Sequence, residues 1–161
     1  MRRTESERAI DLAYKAVARR ELTVAELRTR LERKRVPPEA IDDAVAELEA
    51  SGFLDDERYA RQFTEDKREL DQWGSERIAR DLHRRGIAAH LIEEVVSTRS
   101  RDSELRTAVL LLEQRHPTAP KDDRERDRAW QMLVRRGYSP DLAYDAIRTW
   151  ERAERERRRA A

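Results

Sequence analysis

The chain has 161 residues, of which 43% are charged and 38% belong to the apolar set, and its formal net charge is +1. It contains no cysteine, which excludes disulfide scaffolds, zinc fingers, iron–sulfur sites and thiol catalysis. Because Gly and Pro are scarce while Ala, Leu, Arg and Glu dominate, we expect an all-α fold of thin amphipathic helices.

The first predicted helix runs from Glu5 to Arg20, with Ile10, Ala13, Tyr14 and Val17 at helical spacing. The opening MRRTESERAI has basic residues but no apolar segment, so it does not resemble a secretory signal. The longest apolar run, five residues that end at Leu112, is far too short to span a bilayer. We therefore expect a cytoplasmic protein without membrane contact.

A repeat organises the chain after this helix. Three segments superimpose without gaps at offsets of 51 residues, and they begin at Leu31, Leu82 and Leu133. They read LERKRVPPEAIDDAV, LHRRGIAAHLIEEVV and LVRRGYSPDLAYDAI. Matched positions that should face a core are Val36, Ile87 and Tyr138, then Ile41, Ile92 and Ala143, then Val45, Val96 and Ile147. One supersecondary unit is therefore used three times.

Local signals place the helix ends within each copy. Thr23 and Glu26 fit a capping box at the start of a helix. Gly86 and Gly137 suit left-handed caps at helix ends, whereas the first copy has Arg35 at this position, which is a weaker stop. The helices that follow should start at Pro38 in the first copy and, in the third, after an N-cap at Ser139.

Another helix should precede each of the later pairs. In the second unit Asp55 is the expected N-cap, and Tyr59, Phe63 and Leu70 the expected buried face. The corresponding helix of the third unit should cover Ser103 to Gln114. Trp130 and Trp150 are expected in the core, whereas Trp73 suits either core packing or stacking on a base.

These elements predict three tandem three-helix repeats at residues 1–53, 54–98 and 99–161, the last with a C-terminal helical extension. A polar linker at 97–102 joins the second and third repeats, and two prolines break the helix within 116–123. Each repeat is too small to bury a full core alone. The repeats should therefore stack into an elongated, curved array.

Charge is segregated within the repeats. The second helix of each repeat is basic. Residues 28–35 hold five basic side chains and one acid, and residues 77–85 hold four basic side chains and one acid. The third helix of the first repeat, within residues 39–49, holds five acids and no base. The structural alternative is that basic and acidic helices neutralise one another across a solvated surface and that a basic last turn complements the negative helix end.

Recurrence in all three copies favours a functional interpretation. We expect a continuous basic stripe that binds phosphates without reading bases. The stripe consists of Arg33, Lys34, Arg77, Arg80, Arg84, Arg85, Arg135 and Arg136. A DNA-reading helix–turn–helix is not expected, because the helix after each turn is the acidic one.

The sequence gives little support to catalysis. His83, His90 and His116 share no metal-binding spacing, and the four glycines are dispersed at helix ends without forming a phosphate loop. We therefore expect a protein that is not an enzyme and that has no catalytic residue, metal or cofactor.

The chain resembles the RecX family of RecA regulators. The most specific stretch is Gly-Phe-Leu-Asp-Asp-Glu-Arg-Tyr-Ala at residues 52–60. Trp73-Gly74 and the Arg-Arg-Gly turns that end at Ile87 and Tyr138 support it, and the likeness extends from Ala9 to Trp150. Tandem three-helix repeats are also the architecture of that family.

The resemblance implies a regulator that works as a monomer. RecX-like proteins bind RecA and its filament on single-stranded DNA, and they usually restrain filament growth, ATP hydrolysis, strand exchange and cleavage of the SOS repressor in DNA repair. Weak, non-specific binding to single-stranded DNA is also implied. The alternative that the residues leave open is a stand-alone, non-specific DNA-binding protein with helical repeats.

Overall fold

A computed structural model describes residues 4–161 of the chain, and the described residues form nine helices and no strand. The helices are α1 (Glu5–Arg19), α2 (Val24–Arg33), α3 (Pro38–Ala50), α4 (Asp56–Leu70), α5 (Ser75–Arg84), α6 (Ala89–Val96), α7 (Arg101–Arg115), α8 (Asp123–Arg135) and α9 (Pro140–Ala160). The predicted all-α fold of three-helix repeats is confirmed. The repeat bounds stay a prediction, and residues 1–3, where the first repeat was set to begin, lie outside the described residues.

The predicted N-caps are confirmed. Thr23 accepts a hydrogen bond at Oγ1 from the Glu26 amide at 3.1 Å, and the Glu26 carboxylate accepts one from the Thr23 amide. Asp55 accepts from the Arg58 amide at 2.9 Å, and Ser139 caps α9. Each side chain therefore satisfies an amide that the helix start leaves without a partner.

α7 spans Arg101–Arg115 and so includes the predicted Ser103 to Gln114, and Ser100 is its N-cap, accepting from the Ser103 amide at 3.1 Å. One expectation about an individual residue was wrong. Leu70 is 79% exposed instead of buried. Its helical phase matches that of Tyr59 and Phe63. However, Leu70 is the last residue of α4 and lies beyond the buried part of the helix.

The three turns that follow α2, α5 and α8 share one geometry. After α5, the Ile87 amide donates to the Leu82 carbonyl at 3.1 Å, the Gly86 amide donates to the His83 carbonyl at 3.0 Å, and Gly86 has a φ of 82°. The same pair of hydrogen bonds recurs after α2 and α8, with φ of 58° at Arg35 and 97° at Gly137. All three are Schellman caps. Arg35 thus adopts the left-handed conformation that glycine provides in the other two copies.

The helices are distributed over two compact units. Unit 1 holds the chain as far as Phe63 together with Asp81–Ile92, and unit 2 holds Thr64–Arg80 together with Glu93–Ala161. Within the part of the chain that the structure describes, no helix is both long enough and apolar enough to cross a membrane.

The core of unit 1 lies among the first three helices. α1 packs mainly against α3, and α2 packs against both. The repeat positions Leu31, Val36, Ile41 and Val45 are all buried here, as the 51-residue pattern predicts. Ala9 and Ala13 form the buried face of α1, which lets α3 approach closely.

The core of unit 2 is formed by α7, α8 and α9. Leu133, Tyr138 and Ile147 of the repeat pattern are buried in it, and so is Trp150, which is only 2% exposed. Trp130 is half-buried against the same core, and its indole Nε1 donates to the Pro140 carbonyl at 3.2 Å. Both tryptophans therefore have the structural role that the helical spacing predicted.

Tyr138 should make stability depend on alkaline pH. Its hydroxyl donates to the Gln72 carbonyl at 2.8 Å, and burial raises the pKa of Tyr138 from 10.0 to about 12. Between these two values the unfolded chain loses the proton while the folded chain keeps it, so the free energy of unfolding should fall as pH rises. Denaturant titrations across this window should show a weaker pH dependence in Tyr138→Phe. An unchanged dependence would contradict this assignment.

Candidate functional site

In unit 1, the N-terminus of α2 contacts the end of α5. Thr23 donates through its hydroxyl to the Arg85 carbonyl at 2.7 Å, while the same oxygen caps α2. Gly86 lies so close to Ala25 that a β-carbon at position 86 would overlap the Ala25 Cβ. These contacts bring Arg84 and Arg85 beside α2, although more than 50 residues separate them from it along the chain.

Two polar groups of α4 complete this junction. Asp56 accepts from the Val24 amide at 2.9 Å, and burial raises the pKa of the Asp56 carboxyl against the lowering effect of that hydrogen bond. Burial also raises the pKa of the Tyr59 hydroxyl, which accepts from Arg85 Nη1 at 2.8 Å. The junction is therefore polar, half-buried and internally hydrogen-bonded, and it holds the Arg85 side chain in place.

A cleft of about 290 Å³ opens beside the junction. Its walls carry five guanidinium groups and one carboxylate. The lining residues are Arg20, Ala25, Glu26, Thr29, Arg30, Arg33, Arg84 and Arg85. This excess of positive charge in a concave surface is suited to an anion, above all to phosphate.

A second cleft of unit 1, of about 150 Å³, shares Arg30 with the first. It contributes Lys15 and Arg19 from α1 and Lys34 from the end of α2. We call the combined set of basic residues the basic track. The basic track consists of Lys15, Arg19, Arg20, Arg30, Arg33, Lys34, Arg84 and Arg85.

Acidic residues neutralise the basic track only in part. Glu26 pairs with Arg20 at 2.9 Å, and Asp81 lies 3.5 Å from Arg84. Over residues 4–161, no carboxylate pairs with Arg30 or Arg33, and none pairs with Lys15, Arg19 or Lys34. These five cations are therefore available to a bound anion.

A related junction recurs in unit 2, where positions 74 and 136 correspond to Thr23 and Arg85 at the offset of 51 residues. The Gly74 amide donates to the Arg136 carbonyl at 2.8 Å, and the Glu76 amide donates to the Gly137 carbonyl at 3.0 Å. Gly74 occupies the position of Thr23, where a β-carbon would lie 2.5 Å from the Tyr138 nitrogen. The repeat found in the sequence is therefore also a repeat of contacts.

Basic residues beside the unit 2 junction are mostly held by local contacts. The Arg77 guanidinium stacks on Trp73 with its Cζ 3.9 Å from the ring centroid, and it donates to the Arg135 carbonyl at 3.3 Å. Arg136 donates to the Asp71 carbonyl at 2.7 Å and is half-buried. Arg80 is exposed on α5. Trp73 is thus half-buried under a cation, which is a structural role rather than an open stacking platform.

The structure brings some of the predicted stripe together within each unit. In unit 1, Arg33, Arg84 and Arg85 line one cleft and Lys34 the adjoining one. In unit 2, Arg77 contacts Arg135. The stripe as one binding surface stays a prediction.

Sequence reasoning missed half of the basic track. Lys15, Arg19, Arg20 and Arg30 were not assigned to any site. The one available signal was the i, i+4 spacing of Lys15 and Arg19, which puts both on the polar face of α1. The residues of the track come from three separate parts of the chain, and only the fold joins them.

Comparison with protein families gives three matches in chain order. Residues 9–48 match the first three-helix domain of RecX, residues 55–96 the second and residues 102–147 the third. The chain is 33% identical over 147 residues to regulatory protein RecX of Deinococcus radiodurans, an alignment that covers 91% of this chain and 70% of that protein. It is 31% identical over 159 residues to regulatory protein RecX of Mycobacterium avium, with 97% and 92% covered.

Solved structures show the same fold. A crystal structure of RecX from Lactobacillus salivarius superimposes with a TM-score of 0.80 at 16% identity, covering 91% of this chain and 97% of that one. A second crystal structure of regulatory protein RecX superimposes with a TM-score of 0.74 at 19% identity, covering 90% of this chain and 72% of that one.

Proposed function

Because this chain belongs to the RecX family, we propose that it regulates the RecA recombinase by binding RecA and its filament on single-stranded DNA. The proposed effect is inhibition: slower filament growth and less ATP hydrolysis, strand exchange and SOS coprotease activity. The proposal assigns the chain no catalytic step and no cofactor, and it places the protein in the cytoplasm as a monomer.

The observation that carries the proposal is the basic track of unit 1. A nucleoprotein filament presents DNA phosphates next to protein surface. A partner with basic and acidic surfaces can bind the phosphates through the first and basic protein groups through the second. The basic track supplies the positive side in unit 1, and α3 carries five acids on residues 39–49. Tandem repeats that each make a weak contact gain affinity from the high effective concentration of the next.

The predicted stripe gives a direct test by charge reversal. Arg33, Lys34, Arg84 and Arg135 are its exposed members beside the turns. Arg85 and Arg136 are best left intact, because their side chains bond to Tyr59 and to the Asp71 carbonyl. Changing the four exposed residues to Glu should weaken binding to the ATP-loaded filament by about tenfold or more at low salt and flatten its salt dependence.

A matched control reverses four exposed arginines away from the clefts: Arg61, Arg106, Arg124 and Arg152. Both variants change the net charge equally, so a difference between them isolates the position of the charge. Equal affinities in the two variants across the salt range would remove the stripe from the binding surface.

A binding comparison separates the proposed function from its alternative. The regulator should bind the ATP-loaded RecA filament far better than naked single-stranded DNA, and it should lower the ATPase rate of the filament. A plain DNA-binding protein would bind the bare strand at least as well and leave ATP hydrolysis per bound RecA unchanged. That second result would overturn the proposal.

A further inference from the structure

The connection between α7 and α8 is longer than its counterparts in the other two repeats. Residues 116–122 join these helices, whereas residues 20–23 join α1 to α2 and residues 71–74 join α4 to α5. The longer segment, which we call the long connection, contains Pro117 and Pro120, and these keep it from continuing as a helix. A three-helix repeat forms without such an insertion, and insertions in loops often carry binding residues.

Hydrogen bonds and packing hold the long connection in place. Asp122 is the N-cap of α8 and accepts from the Glu125 amide at 2.8 Å. The Glu125 carboxylate accepts in turn from the Lys121 amide at 2.8 Å. Ala119, in the middle of the segment, packs against the core of unit 2. The long connection therefore has a defined shape, as a preformed binding site requires.

The long connection, α8 and α9 line a cavity of about 300 Å³. Buried Ala129 and Trp150 contribute to its wall, together with the rings of His116, Pro117 and Pro120. The His116 imidazole packs against the Trp150 indole, with the two ring centroids 5.6 Å apart. A wall of this kind suits a flat ligand, because aromatic side chains that include histidine stack on planar rings such as bases.

Positive charge is in excess around this cavity. Lys121 and Arg128 line it with exposed side chains. The salt bridges found between residues 4 and 161 include neither of them. Among the described lining residues Glu125 is the one carboxylate, and the Lys121 amide already binds it. Ammonium and guanidinium groups placed in this way are suited to a phosphate.

We propose that this cavity binds a nucleoside monophosphate, with the phosphate at Lys121 and Arg128 and the base against the ring wall at His116. Such a ligand combines an anion with a planar ring, and the lining matches both features. The volume lies at the lower end of the range for small-molecule sites, about 300–1,000 Å³. The cavity shares no residue with the basic track or the predicted stripe, so the site goes beyond the proposed function and does not depend on it.

Calorimetric titration of the full-length chain tests the site with AMP, inorganic phosphate and adenosine, in the absence of RecA. AMP should bind at one site with a Kd below about 1 mM. Phosphate and adenosine should each bind at least about tenfold more weakly, because each of them makes only part of the contacts.

Two double variants locate the phosphate contact. Lys121→Gln with Arg128→Gln should weaken AMP binding about tenfold or more, because charge-assisted hydrogen bonds are lost. Arg61→Gln with Arg106→Gln removes the same charge from positions outside the cavity and should leave AMP binding unchanged. All four side chains are exposed, and circular dichroism melting verifies that both variants are folded.

A third variant tests the ring wall. His116→Ala removes the imidazole but keeps the backbone amide that donates to the Leu112 carbonyl at the end of α7. Loss of a stacking surface should weaken AMP binding about fivefold or more. Binding of inorganic phosphate should not change, because the two cations remain.

Several results would each overturn the site. These are the absence of AMP binding, equal losses in the two double variants, and phosphate binding as tight as that of AMP, which would mark an adventitious ion only. Displacement of AMP by oligo(dA) at equal nucleotide concentration would assign the cavity to strand binding instead. Filament binding is measured separately, so the regulatory proposal and this site can fail independently.

Discussion

Gly137→Ala should destabilise the protein by about 2–5 kcal/mol. Part of the effect is the left-handed conformation, since Gly137 has a φ of 97° and a side chain there costs about 1–2 kcal/mol. The larger part is steric, because the new β-carbon would lie 2.6 Å from the Arg77 nitrogen and closer still to the Arg77 Cβ. Overpacking of this kind adds about 1–3 kcal/mol. Denaturant unfolding followed by circular dichroism measures the change.

Gly52 provides the matched control. It has a similar φ of 81°, but nothing lies within 4 Å of its added β-carbon. Gly52→Ala should therefore cost only the conformational part, about 1–2 kcal/mol. If Gly137→Ala cost no more than Gly52→Ala, the close contact between Gly137 and Arg77 would not be a steric constraint on residue 137.

Leu82→Ala and Leu133→Ala should each lower the free energy of unfolding by about 2–5 kcal/mol, the range for cavities in well-packed cores. Both leucines are fully buried, at 0% exposure, and each is the first residue of its repeat segment. The effect is structural, so reduced regulation of RecA in these variants would report folding and not contact with the filament.

An exposed leucine calibrates the measurement. Leu70 is 79% exposed, and Leu70→Ala should change stability by no more than about 0.5 kcal/mol. Similar losses in Leu70→Ala and Leu133→Ala would contradict the assignment of the repeat leucines to the cores.

Local signals explain why most of the fold could be predicted from the sequence. The cap at Thr23, the turns at Gly86 and Gly137, and the buried positions of the repeat each depend on residues within a few positions of one another. Leu70 shows the limit of this reasoning: helical spacing gives the face of a residue, but only tertiary packing decides whether anything covers that face.

The candidate site could be predicted only in part, for a related reason. Arg33 and Lys34 were found because their pattern recurs at 51 residues, whereas Arg19 and Arg30 have no such recurrence. Arg19 and Arg30 join the track because α1 packs against α2, and Arg84 and Arg85 join it because the Thr23 hydroxyl holds the end of α5 against the start of α2. A contact between residues 23 and 85 has no signature in composition, charge or helical period.

The junctions also explain why one turn has Arg35 and the others glycine. All three turns have a left-handed residue, which an arginine can supply at a cost of about 1–2 kcal/mol. Gly86 and Gly137 have a second requirement, since each is pressed against another helix. Arg35 itself has a β-carbon, so no helix packs closely enough on that turn to exclude one, and only the conformational demand remains.

The two hydrogen bonds that join Gly74 and Glu76 to Arg136 and Gly137 run between main-chain amides and carbonyls, which every amino acid possesses. A duplicated module can form such bonds without any new side-chain partnership. The number of repeats can then increase by tandem duplication, provided that positions such as Gly74 and Ala25 keep residues small enough for the close contact. The surface arginines remain free to diversify toward different partners in each copy.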